Sequence, residues 1–214
     1  MVCAQRVRVY AFSIGLFIYS SQNIAAFGKD GKEGKSLDAV TTSSSTVTAA
    51  EQTEFQWVEH SKLSWDDFRG QVNAVSDESA AATHCGIGFK TNATDGKKPG
   101  IQVYNTFYVN KSWVRADARI PGILDHEQGH FDLCELYTRM LRDRMNEFDF
   151  STPDVKHALL AIYSDVNNEY ERRQQAYEQE TVHGTNIPQQ KKWQDAISRE
   201  LSANMSYAQV TPGK

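Results

Sequence analysis

The amino-acid sequence predicts an α+β domain, because segments with strand-like patterns come first and long helical patterns follow. The clearest strand covers residues 101–109, which are rich in β-branched and aromatic side chains. The clearest helix follows Pro121 and Gly122 and carries apolar side chains at helical spacing as far as Met140. We expect a small, mainly antiparallel or mixed sheet packed on three helices, with one core for about 150 folded residues.

Residues 1–26 have the pattern of a secretory signal peptide. Arg6 and Arg8 precede an almost wholly apolar run at 9–19, and small residues suitable for cleavage stand at 24–26. The run is shorter than the ~20 residues that span a bilayer, so an uncleaved N-terminal anchor is the alternative. We therefore expect a secreted or periplasmic protein that is free of the membrane after signal cleavage.

The rest of the chain divides by composition into a linker, one domain and a tail. Residues 27–53 are mostly small and polar, which predicts a disordered linker. The folded domain is expected at 54–207, followed by a flexible tail at 208–214. Removing residues 1–26 takes away two arginines and no acid, so the formal charge of −4 becomes −6. An acidic protein without a basic run is a poor candidate for binding nucleic acid.

The elements of the domain follow in order. Residues 80–90, with small side chains and two glycines, predict a first strand, and 92–100 a turn before the strand at 101–109. The Thr152-Pro153-Asp154 sequence predicts the start of a second long helix, with threonine as cap and proline first, running to near Thr181. A third helix is predicted at 188–203.

Residues 126–130 read His-Glu-Gln-Gly-His. Two histidines four residues apart on a helix lie on one face, so both imidazoles can bind one metal ion, for which Zn²⁺ is the natural choice. Glu127 stands beside them and can act as general base toward water. The alternative is that His126 and His130 are surface or capping residues, but the apolar pattern of the segment predicts a half-buried helix.

A hydrolytic zinc site usually has three protein ligands and one open position. His183 is preferred as the third ligand because it lies where the second helix ends and can fold back. Carboxylates of the second helix are its rivals: Glu180, Glu169 and Asp165. Cys85 and Cys134 can form a disulfide in an oxidising compartment, or Cys134 can be a buried thiol.

Several blocks of this sequence, in order, resemble the bacterial family DUF922 of predicted secreted zinc-dependent proteases. The matching blocks are 65–70, 80–83, 86–87, 112–114, 124–132 continuing to Glu135 and Arg139, and 177–184 followed by Gln190 and Trp193. The family often has aspartate where this chain has Glu178, which weakens any role for that carboxylate. The resemblance implies a zincin-like fold and peptidase activity, and it favours His183 as the third zinc ligand.

Together these features predict a zinc metallopeptidase in which His126, His130 and His183 bind Zn²⁺ and Glu127 is the general base. Tyr177 is the first candidate to stabilise the oxyanion, ahead of Tyr137 and His84. The expected partner is a peptide or protein substrate, which could extend the sheet at 104–109 if that strand lies at its edge. The alternatives are a non-catalytic metal-containing binding module and a zinc amidase acting on cell-wall peptides.

Overall fold

A computed structural model describes residues 53–58, 61–72, 79–92 and 100–203 of the chain. The predicted signal peptide, the tail and all but the last residue of the predicted linker lie outside these residues and stay predictions. The described part contains three α-helices and two small antiparallel sheets, which confirms the predicted α+β class. Within it, no helix combines the length and apolar character needed to cross a membrane.

The three helices are α1 (Pro121–Asn146), α2 (Val155–Thr181) and α3 (Ile187–Ala203). Pro121 occupies the first position of α1, where its missing N–H leaves no helical hydrogen bond unmade. The helix α2 begins later than predicted, because Asp154 rather than Thr152 is its cap. The Asp154 carboxylate accepts a hydrogen bond from the backbone N–H of His157, which satisfies a donor of the first turn.

The larger sheet has the strand order β1-β4-β3, formed by β1 (Glu54–Phe55), β3 (Cys85–Asn92) and β4 (Gly100–Tyr108). Antiparallel pairing runs from Cys85 opposite Phe107 to Asn92 opposite Gly100. The strand β4 is therefore central among the described strands. Because β1 pairs only with Phe107 and Tyr108, residues 104–106 have a described strand on one side only, and extension of the sheet by a peptide stays a prediction.

The predicted strand at 80–90 is two strands that belong to different sheets. The strand β2 (Ala81–Ala82) pairs with β5 (Trp113–Val114), whereas β3 joins the larger sheet. Between them, the Thr83 hydroxyl donates to the backbone carbonyl of Glu127, and the His84 N–H donates to the Ser112 hydroxyl. These long-range hydrogen bonds end β2 and place the start of β3 beside α1.

The helix α1 lies at the centre of the described fold, in contact with both other helices and with β2, β3 and β4. On the sheet side, Phe131 packs edge-on against Phe55 and Phe107. On the helical side, Leu133 and Leu136 pack with Tyr177, Trp193 and Ile197. Because α1 is covered from both sides, polar side chains in its first turns are held between packed elements.

Candidate metal centre

The first turns of α1 meet the last turn of α2 at three side chains: His126, His130 and Glu178. Oε2 of Glu178 lies 2.9 Å from Nε2 of His126 and 3.1 Å from Nε2 of His130. The two Nε2 atoms are 3.2 Å apart. Among the described residues, this is the group of histidine, cysteine and acidic side chains whose ligand atoms converge enough to bind one metal ion.

The spacing of these three atoms fits a tetrahedral zinc ion. Zinc bonds of about 2.0–2.1 Å place neighbouring ligand atoms about 3.3 Å apart, close to the separations between the two imidazoles and Glu178. Two imidazole nitrogens and one carboxylate oxygen are also a donor set that hydrolytic zinc sites use. The residues present therefore fit the metal that the His-Glu-Gln-Gly-His pattern predicts, although its identity is not fixed by the geometry.

Two glutamines fix the direction of the imidazoles. Oε1 of Gln190 lies 3.1 Å from Nδ1 of His126, and Oε1 of Gln174 lies 2.6 Å from Nδ1 of His130. Because an amide oxygen only accepts hydrogen bonds, both Nδ1 atoms carry the proton, which leaves the Nε2 atoms to face Glu178. Each glutamine is itself anchored, since Gln190 donates to the Tyr177 hydroxyl and Gln174 donates to the His130 carbonyl.

Charge accumulates at this cluster. Burial raises the pKa of Glu178, but hydrogen bonds from His126, His130 and His183 outweigh burial and hold that pKa well below its usual range. Burial lowers the pKa of His130, but the hydrogen bond to Glu178 and the charge of Glu127 raise it to about 9. A proton on His130 thus compensates the carboxylate, and a divalent cation would do the same more completely.

Glu127 is buried, with 3% of its surface exposed, and its charge lies close enough to raise the pKa of His130. Its Oε2 atom has no hydrogen-bond partner among the residues that the structure describes. A buried carboxylate oxygen without a hydrogen-bond partner destabilises the folded state. Such an oxygen is expected in a group that accepts a proton from water or substrate.

Tyr177, predicted as a catalytic residue, is completely buried. Its hydroxyl donates to the backbone carbonyl of His126 at 2.9 Å and accepts from Gln190 at 2.7 Å. Its ring stacks on His126 with centroids 4.8 Å apart, and it fits against Gly129, where any side chain would collide with it. The geometry places Tyr177 as a support of His126, with both hydrogen-bonding functions of its hydroxyl engaged by protein groups.

His183, predicted as the third metal ligand, lies outside the converging group. Its side chain is 64% exposed, and its Nδ1 atom is hydrogen bonded to Oε1 of Glu178. The structure brings Glu178 to the place that the sequence analysis assigned to His183, because α2 still has helical geometry at Glu178 and turns away after Thr181.

The remaining candidates lie elsewhere. Glu180 accepts hydrogen bonds from Trp193 and Gln189, Glu169 pairs with Arg144, and Asp165 is exposed. His84 is not among the converging side chains, and Tyr137 is buried against Tyr170. A role for either residue toward the oxyanion stays a prediction. Cys85 and Cys134 are free thiols in hydrogen-bond contact with each other, so the disulfide considered above is not formed.

Sequence reasoning missed Gln174 entirely. Tyr177 and Glu178 follow Gln174 on α2 by three and four residues, and all three side chains make hydrogen bonds to α1. These polar residues recur at helical spacing on a helix that must pack against the histidine pair. That pattern could have identified the part of the site that α2 contributes.

A family model described as "Bacterial protein of unknown function (DUF922)" matches residues 105–184. The matched segment contains the last four residues of β4 and all of α1 and α2, and thus every residue of the converging group together with His183. This match supports the resemblance found in the sequence blocks of that segment, and the description assigns no activity. No curated protein and no solved structure matches the chain.

Proposed function

We propose that this protein is a zinc-dependent hydrolase that cleaves peptide bonds outside the cytoplasm. The observation that carries the proposal is the convergence of three ligand atoms at zinc-like spacing beside a buried glutamate oxygen that has no partner in the described part of the chain. The export part rests on the signal-like pattern at residues 1–26.

In this proposal His126, His130 and Glu178 hold the metal, and Gln174 and Gln190 orient the two imidazoles. When bound, zinc acidifies water and polarises a carbonyl group. Glu127 accepts a proton from the attacking water at its free Oε2 atom and then gives that proton to the leaving amine.

The number of protein ligands favours catalysis over a structural metal. Structural zinc sites are usually closed by four protein ligands, whereas catalytic sites have three and one open position. The described residues offer three converging ligand atoms, with 13% of the His130 and Glu178 side chains exposed. Solvent can therefore reach a centre that the protein does not close.

The test is to purify the chain without chelator, to measure zinc by mass spectrometry, and to assay cleavage of casein, peptide libraries and cell-wall peptides. We expect one zinc per chain and cleavage that a chelator abolishes. Glu127→Gln should keep zinc and lower turnover by about 100-fold or more, whereas Asp125→Asn, an exposed neighbour, should leave turnover unchanged.

Two results would contradict the proposal in different ways. A chain that binds no zinc at micromolar concentration would remove the metal centre. Zinc binding without cleavage of any peptide would instead favour a non-catalytic binding module.

A further inference from the structure

The turn that follows α2 has an unusual backbone. Val182, His183 and Gly184 adopt positive φ angles of 50°, 54° and 78°. The left-handed region suits glycine but is rarely adopted by other residues, and least of all by a β-branched one such as valine. Two consecutive non-glycine residues in this conformation persist only where the surrounding structure imposes it.

Contacts with α2 and α1 hold the turn at residues 182–184 in this left-handed conformation. The His183 N–H donates to the Glu178 carbonyl at 3.2 Å, and the Asn186 N–H donates to the Thr181 carbonyl at 2.8 Å. Gly184 lies against α1 so closely that a Cβ atom there would be 2.8 Å from Cβ of His126. The turn is therefore held between the end of α2 and the helix that carries the two histidines.

This strained turn delivers His183 to the outer side of Glu178. Oε2 of Glu178 faces His126 and His130, while Oε1 is hydrogen bonded to Nδ1 of His183. Because the His183 side chain is 64% exposed, the hydrophobic core does not require it there. The imidazole contacts the carboxylate of Glu178.

We propose that His183 is a positioning residue of the metal centre, which holds the inner oxygen of Glu178 toward the histidines by donating to the outer one. A glutamate side chain has three rotatable bonds, and one fixed oxygen restricts the direction of the other. The inference rests on the proposed metal site. In it, His183 is the partner that orients Glu178, and Glu178 is the third ligand. Such outer partners typically contribute 10–100-fold to metal affinity.

The experiment measures Zn²⁺ affinity of the full chain by competition with a fluorescent chelator. His183→Gly removes the imidazole and tolerates the positive φ angle, so a loss of affinity reports the side chain rather than backbone strain. His183→Asn also tolerates that angle and carries an N–H donor on Cγ, as histidine carries Nδ1. Val182→Gly alters the same turn, leaves the contact between His183 and the Glu178 carboxylate in place, and is the matched control.

We expect His183→Gly to weaken zinc binding by about 10–100-fold, and His183→Asn to recover most of that loss. Val182→Gly should leave the affinity within about twofold of the original. In a Glu178→Ala background, where the carboxylate is absent, His183→Gly should cause no further loss.

Three outcomes would overturn the inference. An unchanged affinity in His183→Gly would show that the contact does not matter, while the metal site itself would stand. Equal losses in the glycine and asparagine variants, together with a further loss in the Glu178→Ala background, would make His183 a direct ligand. Absence of zinc binding in the original chain would remove both this inference and the proposed function.

Discussion

Gly129 lies on α1 between the two histidines, and its missing side chain makes room for Tyr177. A Cβ atom at position 129 would lie 2.2 Å from the Tyr177 hydroxyl oxygen and 2.6 Å from Cζ of that ring. Neither atom can move freely, because the ring is completely buried and stacks on His126. Gly129→Ala must therefore displace Tyr177, the α1 backbone or both.

The size of the effect follows from these contacts. Overpacking a filled core typically destabilises by about 1–3 kcal/mol. Displacing Tyr177 also breaks its hydrogen bonds to His126 and Gln190, at about 1 kcal/mol each. The better helix propensity of alanine offsets up to about 1 kcal/mol. A net loss of about 2–4 kcal/mol remains, which lowers the unfolding temperature of a domain of this size by about 5–15 °C.

Thermal unfolding of the metal-free protein, followed by circular dichroism, measures this loss. Gly122→Ala is the matched control on the same helix, because a Cβ atom there meets nothing within 4 Å. The control should be neutral or slightly stabilising. Combining Gly129→Ala with Tyr177→Phe, which removes the most crowded atom, should destabilise less than the sum of the two changes. An unfolding temperature of Gly129→Ala equal to that of the original would refute the packing argument.

Three further results are expected. In the metal-free protein the raised pKa of His130 stabilises the folded state fully below about pH 6.5, and this stabilisation is lost as the pH rises through about 9. Denaturant unfolding should show the loss as a decline of up to about 3 kcal/mol in the free energy of unfolding. Glu178→Gln should abolish most of that decline. Because a metal must displace the His130 proton, apparent zinc affinity should rise by about tenfold per pH unit between pH 6 and 8, and a flat profile in a calorimetric titration would contradict this. Glu135→Ala should destabilise by about 3–5 kcal/mol, because it removes the carboxylate that neutralises the buried Arg139, whereas Glu169→Ala, in a partly exposed ion pair, should change stability by less than about 1 kcal/mol.

The choice between Glu178 and His183 shows where prediction from the sequence stops. Helical geometry places residues five positions apart about 140° from each other, so the two side chains cannot both face α1 from a continuous helix. Which one does so depends on where α2 ends. The predicted end near Thr181 is confirmed, and Val182 follows it in the left-handed region. The sequence did not show that the last turn before this end, rather than the turn after it, directs a side chain at the histidine pair.

The local sequence pattern was sufficient to predict α1 and β4, because the periodicity and type of their residues agree with which side chains are buried. It was not sufficient for the segment at 80–90, because small side chains there do not reveal a break. That break is made by hydrogen bonds from Thr83 to Glu127 and from His84 to Ser112, whose partners are distant along the chain. The pair that converges from one helix is the pair that its spacing predicted, whereas the third converging side chain, Glu178, comes from a second helix whose packing the sequence does not display.

The central position of α1 makes cation loading a property of the whole domain. Because the helix that carries His126 and His130 touches both other helices and both sheets, unfolding any of its packing partners also disperses the ligands. A cation present at about 1,000 times its dissociation constant would stabilise the folded state by about 4 kcal/mol. A melting-temperature screen across divalent cations can thus test whether the proposed centre binds an ion, and which ion it prefers.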